Sequence, residues 1–189
     1  MREETIKIFK FDELDSAAKK KAIDEYREES NKNFDSHEIT EILKEKLADH
    51  GLGNLDCYWS LSYSQGDGVA FYGLVDIAEF IKKNPKFDIT TKLQKALETD
   101  QYFSIKIIKK NPHYDHCNSM RLEIDACNND DLYVIITYNF LEFCQKLSKE
   151  LESIGYKAIE FRNSDEYIID EIEGRELEFF ESGSMSYNL

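Results

Sequence analysis

Asp56-Cys-Tyr-Trp-Ser-Leu-Ser-Tyr-Ser-Gln-Gly-Asp-Gly-Val-Ala-Phe-Tyr-Gly73 carries the sharpest local pattern in the chain, with its only tryptophan and three of its eight glycines. Cys57, Trp59, Leu61 and Tyr63 alternate with Tyr58, Ser60, Ser62 and Ser64. A period of two marks a strand with one apolar and one polar face. Val69 to Gly73 reads as a second strand, and Gln65-Gly66-Asp67-Gly68 lies between them. Asp and Gly tolerate the positive φ of tight turns, so the stretch predicts a β-hairpin turning on Gly66, Asp67 and Gly68.

Elements follow on both sides. Upstream, Thr5 to Phe11 reads as a strand. A helix capped by Asp15 or Ser16 then runs to about Glu29, with Ala18, Ala22, Ile23 and Tyr26 inward. A second helix opens at Asp35-Ser-His-Glu38, buries Ile39, Ile42, Leu43 and Leu47, and stops at Gly51. Downstream, helices are expected over 74–83 and 91–98, and strands over 102–108 and 120–125. The longest helix is expected over 130–154 on the spacing of Leu132, Ile136, Phe140, Phe143, Leu147 and Leu151, with Gly155 as its stop. Ser164 caps a short acidic helix that Gly174 ends, and 176–181 is extended. The sum is one α+β domain over 1–189, an antiparallel sheet of about five strands with helices packed on it.

Composition narrows the function classes. Hydrophobic residues at 41% and aromatic residues at 13% suit a packed core. Twenty-four basic against 38 acidic side chains give a net charge of −14. That field repels phosphate backbones and disfavours direct nucleic-acid binding; a basic partner suits it better. No apolar run nears the roughly 18 residues of a membrane span and no apolar signal region opens the chain, so the expected location is the cytoplasm. The four cysteines, Cys57, Cys117, Cys127 and Cys144, form no Cys-x-x-Cys pair and are expected as free thiols. No cofactor motif is present, and Gly66-Asp-Gly68 lacks the Lys-Ser/Thr of a phosphate-binding loop.

Two groups of residues could carry function. Asp67 and His116, with Asp115, could form a general acid–base pair for a small hydrolase or nuclease. The spacing His113-x-x-His116-Cys117 is not a zinc signature, so no metal is expected. The acidic C-terminal segment is the stronger candidate: Asp165, Glu166, Asp170, Glu171, Glu173, Glu176, Glu178 and Glu181 stand against Arg175 alone. Spaced carboxylates imitate phosphates and fit a groove built for nucleic acid.

Several motifs, taken in order, carry a resemblance: Phe9-Lys-Phe-Asp-Glu-Leu14 with Ala18-Lys-Lys-Lys-Ala22, then Ser64-Gln-Gly-Asp-Gly-Val-Ala-Phe71 with Gly73. Next come His113-Tyr-Asp-His116 with Met120, and finally Ser164-Asp-Glu166 with Glu178-Phe179 and Gly183. In these the chain resembles a family of small phage and mobile-element proteins that share the Ser-Gln-Gly-Asp-Gly hairpin and are often called antitoxins. It departs from that pattern near Gly155 to Arg162. The resemblance implies a phage or mobile element in a bacterial host. With the charge, it leads to an acidic inhibitor of a basic nucleic-acid-handling host protein, most concretely an anti-CRISPR protein acting on a Cas nuclease. An antitoxin neutralising a small toxin is the alternative.

Overall fold

A computed structural model describes residues 7–110, 113–126 and 131–186, the first two of the last range as backbone alone. Cys127, the side chain of Leu132 and the start of the expected first strand, Thr5 and Ile6, lie outside the described residues. The architecture is α+β with antiparallel strands, and the residues group into two compact units, 1–36 with 158–189 and 37–157.

The first unit holds β1 (Ile8–Lys10), α1 (Ser16–Lys32), α6 (Asp165–Gly174) and β6 (Glu178–Phe180). Asp15 caps α1 as its short side chain allows, its Oδ1 accepting from the backbone N–H of Ala17 at 2.9 Å and Ala18 at 2.8 Å. β1 and β6 pair antiparallel, with Phe9 opposite Phe179. Phe11, Leu14, Ala18, Ala22 and Tyr26 close a small core against Ile168, Ile172, Phe179 and Met185.

The second unit is built on a four-stranded antiparallel sheet, in the order β2 (Asp56–Ser60), β3 (Gly68–Leu74), β4 (Ser104–Lys109) and β5 (Met120–Asp125). The expected strands therefore divide into a sheet of four and a separate pair. Val69, Phe71, Ile105, Ile107 and Leu122 point into the core, and Tyr58, Lys106, Arg121 and Glu123 point to solvent. The helices of this unit are α2 (Ser36–Asp49), α3 (Ile77–Lys83), α4 (Thr90–Thr99) and the greater part of α5 (Asp131–Arg162). Phe80 of α3 packs against Phe140 and Phe143 of α5 at ring-centre distances of 4.9 and 5.3 Å. Trp59 donates from Nε1 to Thr40 Oγ1 of α2 at 3.0 Å, which satisfies its one polar group.

Four expectations change. The first hairpin strand ends at Ser60 instead of running to Tyr63, so the connection spans residues 61–67 and is no two-residue turn. Within that connection Tyr63 takes a φ of +57°, which no extended strand can hold, and its ring is 68% exposed. Leu74 ends β3 and does not open a helix; α3 starts three residues later, where Asp76 Oδ1 accepts from Glu79 N–H at 3.0 Å. Gly155 does not stop α5, which runs to Arg162. A Cβ there would collide with Leu61 Cδ1, so this glycine lets the loop leucine seat against the helix. Gly174 is likewise the last helical residue of α6, and the left-handed position falls on Glu176, at φ +52°.

Candidate functional site

The Asp67 carboxylate is the knot of the 61–67 loop. Oδ2 accepts from the backbone N–H of Ser62 at 2.6 Å, the N–H of Ser64 at 2.8 Å and the Tyr156 hydroxyl at 3.0 Å. Oδ1 accepts from Ser60 Oγ at 2.9 Å. Partial burial works against ionisation, and the donors from Ser64, Ser62, Ser60 and Tyr156 outweigh it, holding the carboxyl well below the usual carboxylate range. Tyr156 stands on α5, one residue after the glycine that receives Leu61, and its ring stacks on Tyr63 with centres 4.4 Å apart. Asp67, Leu61 and the Tyr63–Tyr156 pair thus pin one loop to one helix.

The stretch that carries Asp115 and His116 lies against this loop. A Cβ on Gly68 would come within 2.6 Å of His116 Cβ, and one on Gly66, at φ +96°, within 2.7 Å of the Tyr114 ring. Gly68 is therefore required by close approach to the His116 backbone, and both glycines by their positive φ, +96° at Gly66 and +154° at Gly68. The structure brings Gly66-Asp67-Gly68 and Tyr114-Asp115-His116 together but directs their polar groups apart. His116 Nδ1 accepts from Asn118 N–H at 3.0 Å, and Asp115 accepts from the Tyr72 hydroxyl at 2.8 Å and Lys109 Nζ at 2.9 Å. Among the described residues, no hydrogen bond joins Asp67 to His116, and no group of three or more His, Cys, Asp or Glu could hold a metal ion. A carboxylate held this far down accepts a proton poorly near neutral pH.

Burial pushes the Cys57 thiol up to about 11, against the opposing pull of Lys44, and raises the buried Cys144 thiol further. Thiols held protonated in this way are poor nucleophiles.

The acidic segment divides in two. Asp165 meets Arg27, which also binds Asp24 at 2.7 Å and the Asn163 carbonyl at 3.1 Å. Glu171 pairs with Arg175 at 2.6 Å and accepts from the Tyr26 hydroxyl at 3.3 Å. Glu178 lies 3.5 Å from Lys10 Nζ. These three hold α6 and β6 in their own unit. Glu166, Asp170, Glu173, Glu176 and Glu181 are exposed and form no ion pair among the described residues. Glu166, Asp170 and Glu173 stand at i, i+4 and i+7, opposite the buried Ile168 and Ile172. At 1.5 Å rise per residue they are spaced about 6 and 4.5 Å along the axis. The segment's apolar residues could be read as core from periodicity; which acids were already paired depended on Arg27 and Lys10, more than a hundred residues away.

Among the described residues no helix is long and apolar enough to cross a membrane. No family model matches this chain, and no curated protein or solved structure matches it.

Proposed function

We propose that this protein is an inhibitor that lays the acidic ridge of α6 and the turn after it into a cationic groove of a nucleic-acid-handling protein of a bacterial host. An RNA-guided Cas nuclease is the concrete form of that partner. The observation that carries the reading is the stripe Glu166, Asp170 and Glu173, continued by Glu176, which presents carboxylates without cationic partners among the described residues. Such a stripe costs stability through self-repulsion and contributes nothing to the core beneath it, so a cationic partner explains it better than folding does. The unit that carries it supports the same reading. Residues 1–36 and 158–189 hold ten basic and nineteen acidic side chains, net −9, against −5 for the longer stretch 37–157 with fourteen and nineteen.

The test is binding to a panel of purified Cas effectors, each with and without guide RNA, at low and high salt. The proposal expects a complex that weakens as salt rises and that competes with guide or target nucleic acid. A panel that yields no complex, or one indifferent to salt and to nucleic acid, overturns it.

A further inference from the structure

The solvent face of the four-stranded sheet carries a groove of about 510 Å³, which lies in the size range of small-molecule sites. It belongs wholly to residues 37–157, whereas the acidic ridge is built from residues of the other unit. Asp56, Tyr58, Tyr72, Lys106 and Lys109 line it, over a floor that includes Gly73, Ile107 and Ile108. The strand register explains why these side chains converge. Asp56 is directly opposite Tyr72, Tyr58 is opposite Ala70, and Lys106 is opposite Leu74. Tyr72 is thus the diagonal neighbour of both Tyr58 and Lys106 on one face.

The groove is organised before anything enters it. The Tyr72 hydroxyl donates to Asp115 Oδ1 at 2.8 Å and shares a hydrogen bond with Ser119 Oγ at 3.0 Å. Lys109 Nζ is 2.9 Å from Asp115 Oδ2 and sits 5.9 Å from the centre of the Tyr72 ring. Tyr58 leans on Tyr72 at 5.6 Å with the planes 44° apart and remains 48% exposed. Lys106 is exposed and makes no ion pair among the described residues, and Asp56, two strands away on the same groove, is exposed as well. Aromatic faces held in place, one uncommitted ammonium and one carboxylate together match a planar ring, an anionic group and a hydroxyl donor.

We propose that this face binds a free mononucleotide. The base stacks on the Tyr58–Tyr72 pair, the phosphate meets Lys106, and Asp56 accepts from a ribose hydroxyl. Stacking of a base on an aromatic side chain tolerates any base, so the site selects the nucleotide class before it selects a base. Charge chooses the free nucleotide over a strand. A chain of net charge −14 repels each further phosphate of a polymer, whereas one phosphate needs one local cation.

The test titrates the full chain with each of the four ribonucleoside 5′-monophosphates, their nucleosides and a hexanucleotide, followed by calorimetry or ligand-observed NMR. At least one monophosphate is expected to saturate with a dissociation constant below about 1 mM. Tyr58→Ala is expected to weaken it about tenfold or more. Lys106→Glu is expected to abolish the preference for monophosphate over nucleoside. Both side chains are exposed, so melting temperatures report that the variants fold. The proposal is overturned if no monophosphate saturates, if binding is unchanged in Tyr58→Ala, or if the hexanucleotide binds more than tenfold tighter than the monophosphate. None of these outcomes bears on the acidic ridge.

Discussion

Asp67 closes the 61–67 loop with its own carboxylate, and this ties the loop to pH. The folded carboxyl titrates below its ordinary value of 3.8, so it binds its proton less readily in the folded chain than in the unfolded one. Its contribution is fully present above about pH 4 and is lost as pH falls from there toward the folded value. Asp67→Asn keeps the shape and removes the charge, and it should cost about 1–2 kcal/mol at pH 7. The difference in melting temperature between the two proteins should hold from pH 7 to about pH 4 and shrink steadily from there to pH 2. A constant difference over that range would show that the charge is not what holds the loop. Cys57 offers a second check at this scale. With the thiol pushed up to about 11, roughly a thousandth of it is thiolate at pH 8. Alkylation at pH 8 followed by peptide mapping should leave Cys57 unmodified in the folded chain and modify it readily in denaturant. Rapid labelling without denaturant would contradict the burial described for it.

Helix ends show what a linear reading recovers. α2 ends in a Schellman motif, with Gly51 N–H donating to the Ala48 carbonyl and Leu52 N–H to the Leu47 carbonyl. Gly51, at φ +71°, fills the left-handed position, and its place after an apolar stripe made that end legible in the sequence. α6 ends in the same motif, with Glu176 N–H on the Glu173 carbonyl and Leu177 N–H on the Ile172 carbonyl. Here a glutamate takes the left-handed position and Gly174 sits two residues early, so the glycine signal pointed to the wrong residue. Glu176→Gly should therefore stabilise the protein by about 0.5–1 kcal/mol in chemical denaturation, by relieving the left-handed strain. A loss of stability would mean that the side chain earns its place by contacts. Gly155 makes the opposite case. A glycine inside a helix normally costs about 1 kcal/mol relative to alanine. Gly155→Ala should nonetheless destabilise by about 1–3 kcal/mol, because the added methyl meets Leu61. A gain in stability would show that the loop does not seat there. The periodicities revealed α1, α2, α4, β4 and β5 to within a few residues, since each buries one face at its own period. They missed the extent of α5 and the shape of the hairpin loop, because both depend on a leucine and a tyrosine from elsewhere in the chain.

Across the whole molecule, charge and core part company. The core of residues 1–36 and 158–189 rests on Phe11, Leu14, Ala22, Ile168, Ile172 and Phe179. The carboxylates of Glu166, Asp170, Glu173 and Glu176 form no ion pair among the described residues and stand outside that core, so reversing them should leave folding intact and remove binding. The composition announced an acidic protein, and the concentration of that charge near the C-terminus was legible in the sequence. The division of those acids into paired and unpaired was not, because Arg27 and Lys10 reach them only through the fold. The most direct measurement compares the native chain with the fourfold variant Glu166→Lys, Asp170→Lys, Glu173→Lys and Glu176→Lys. Both are titrated at 50 and 500 mM salt against the Cas effector that the panel yields. The account predicts an unchanged melting temperature within a few degrees, a loss of affinity of a hundredfold or more at low salt, and a smaller gap at high salt. Equal affinity of the two proteins at both salt concentrations would contradict it.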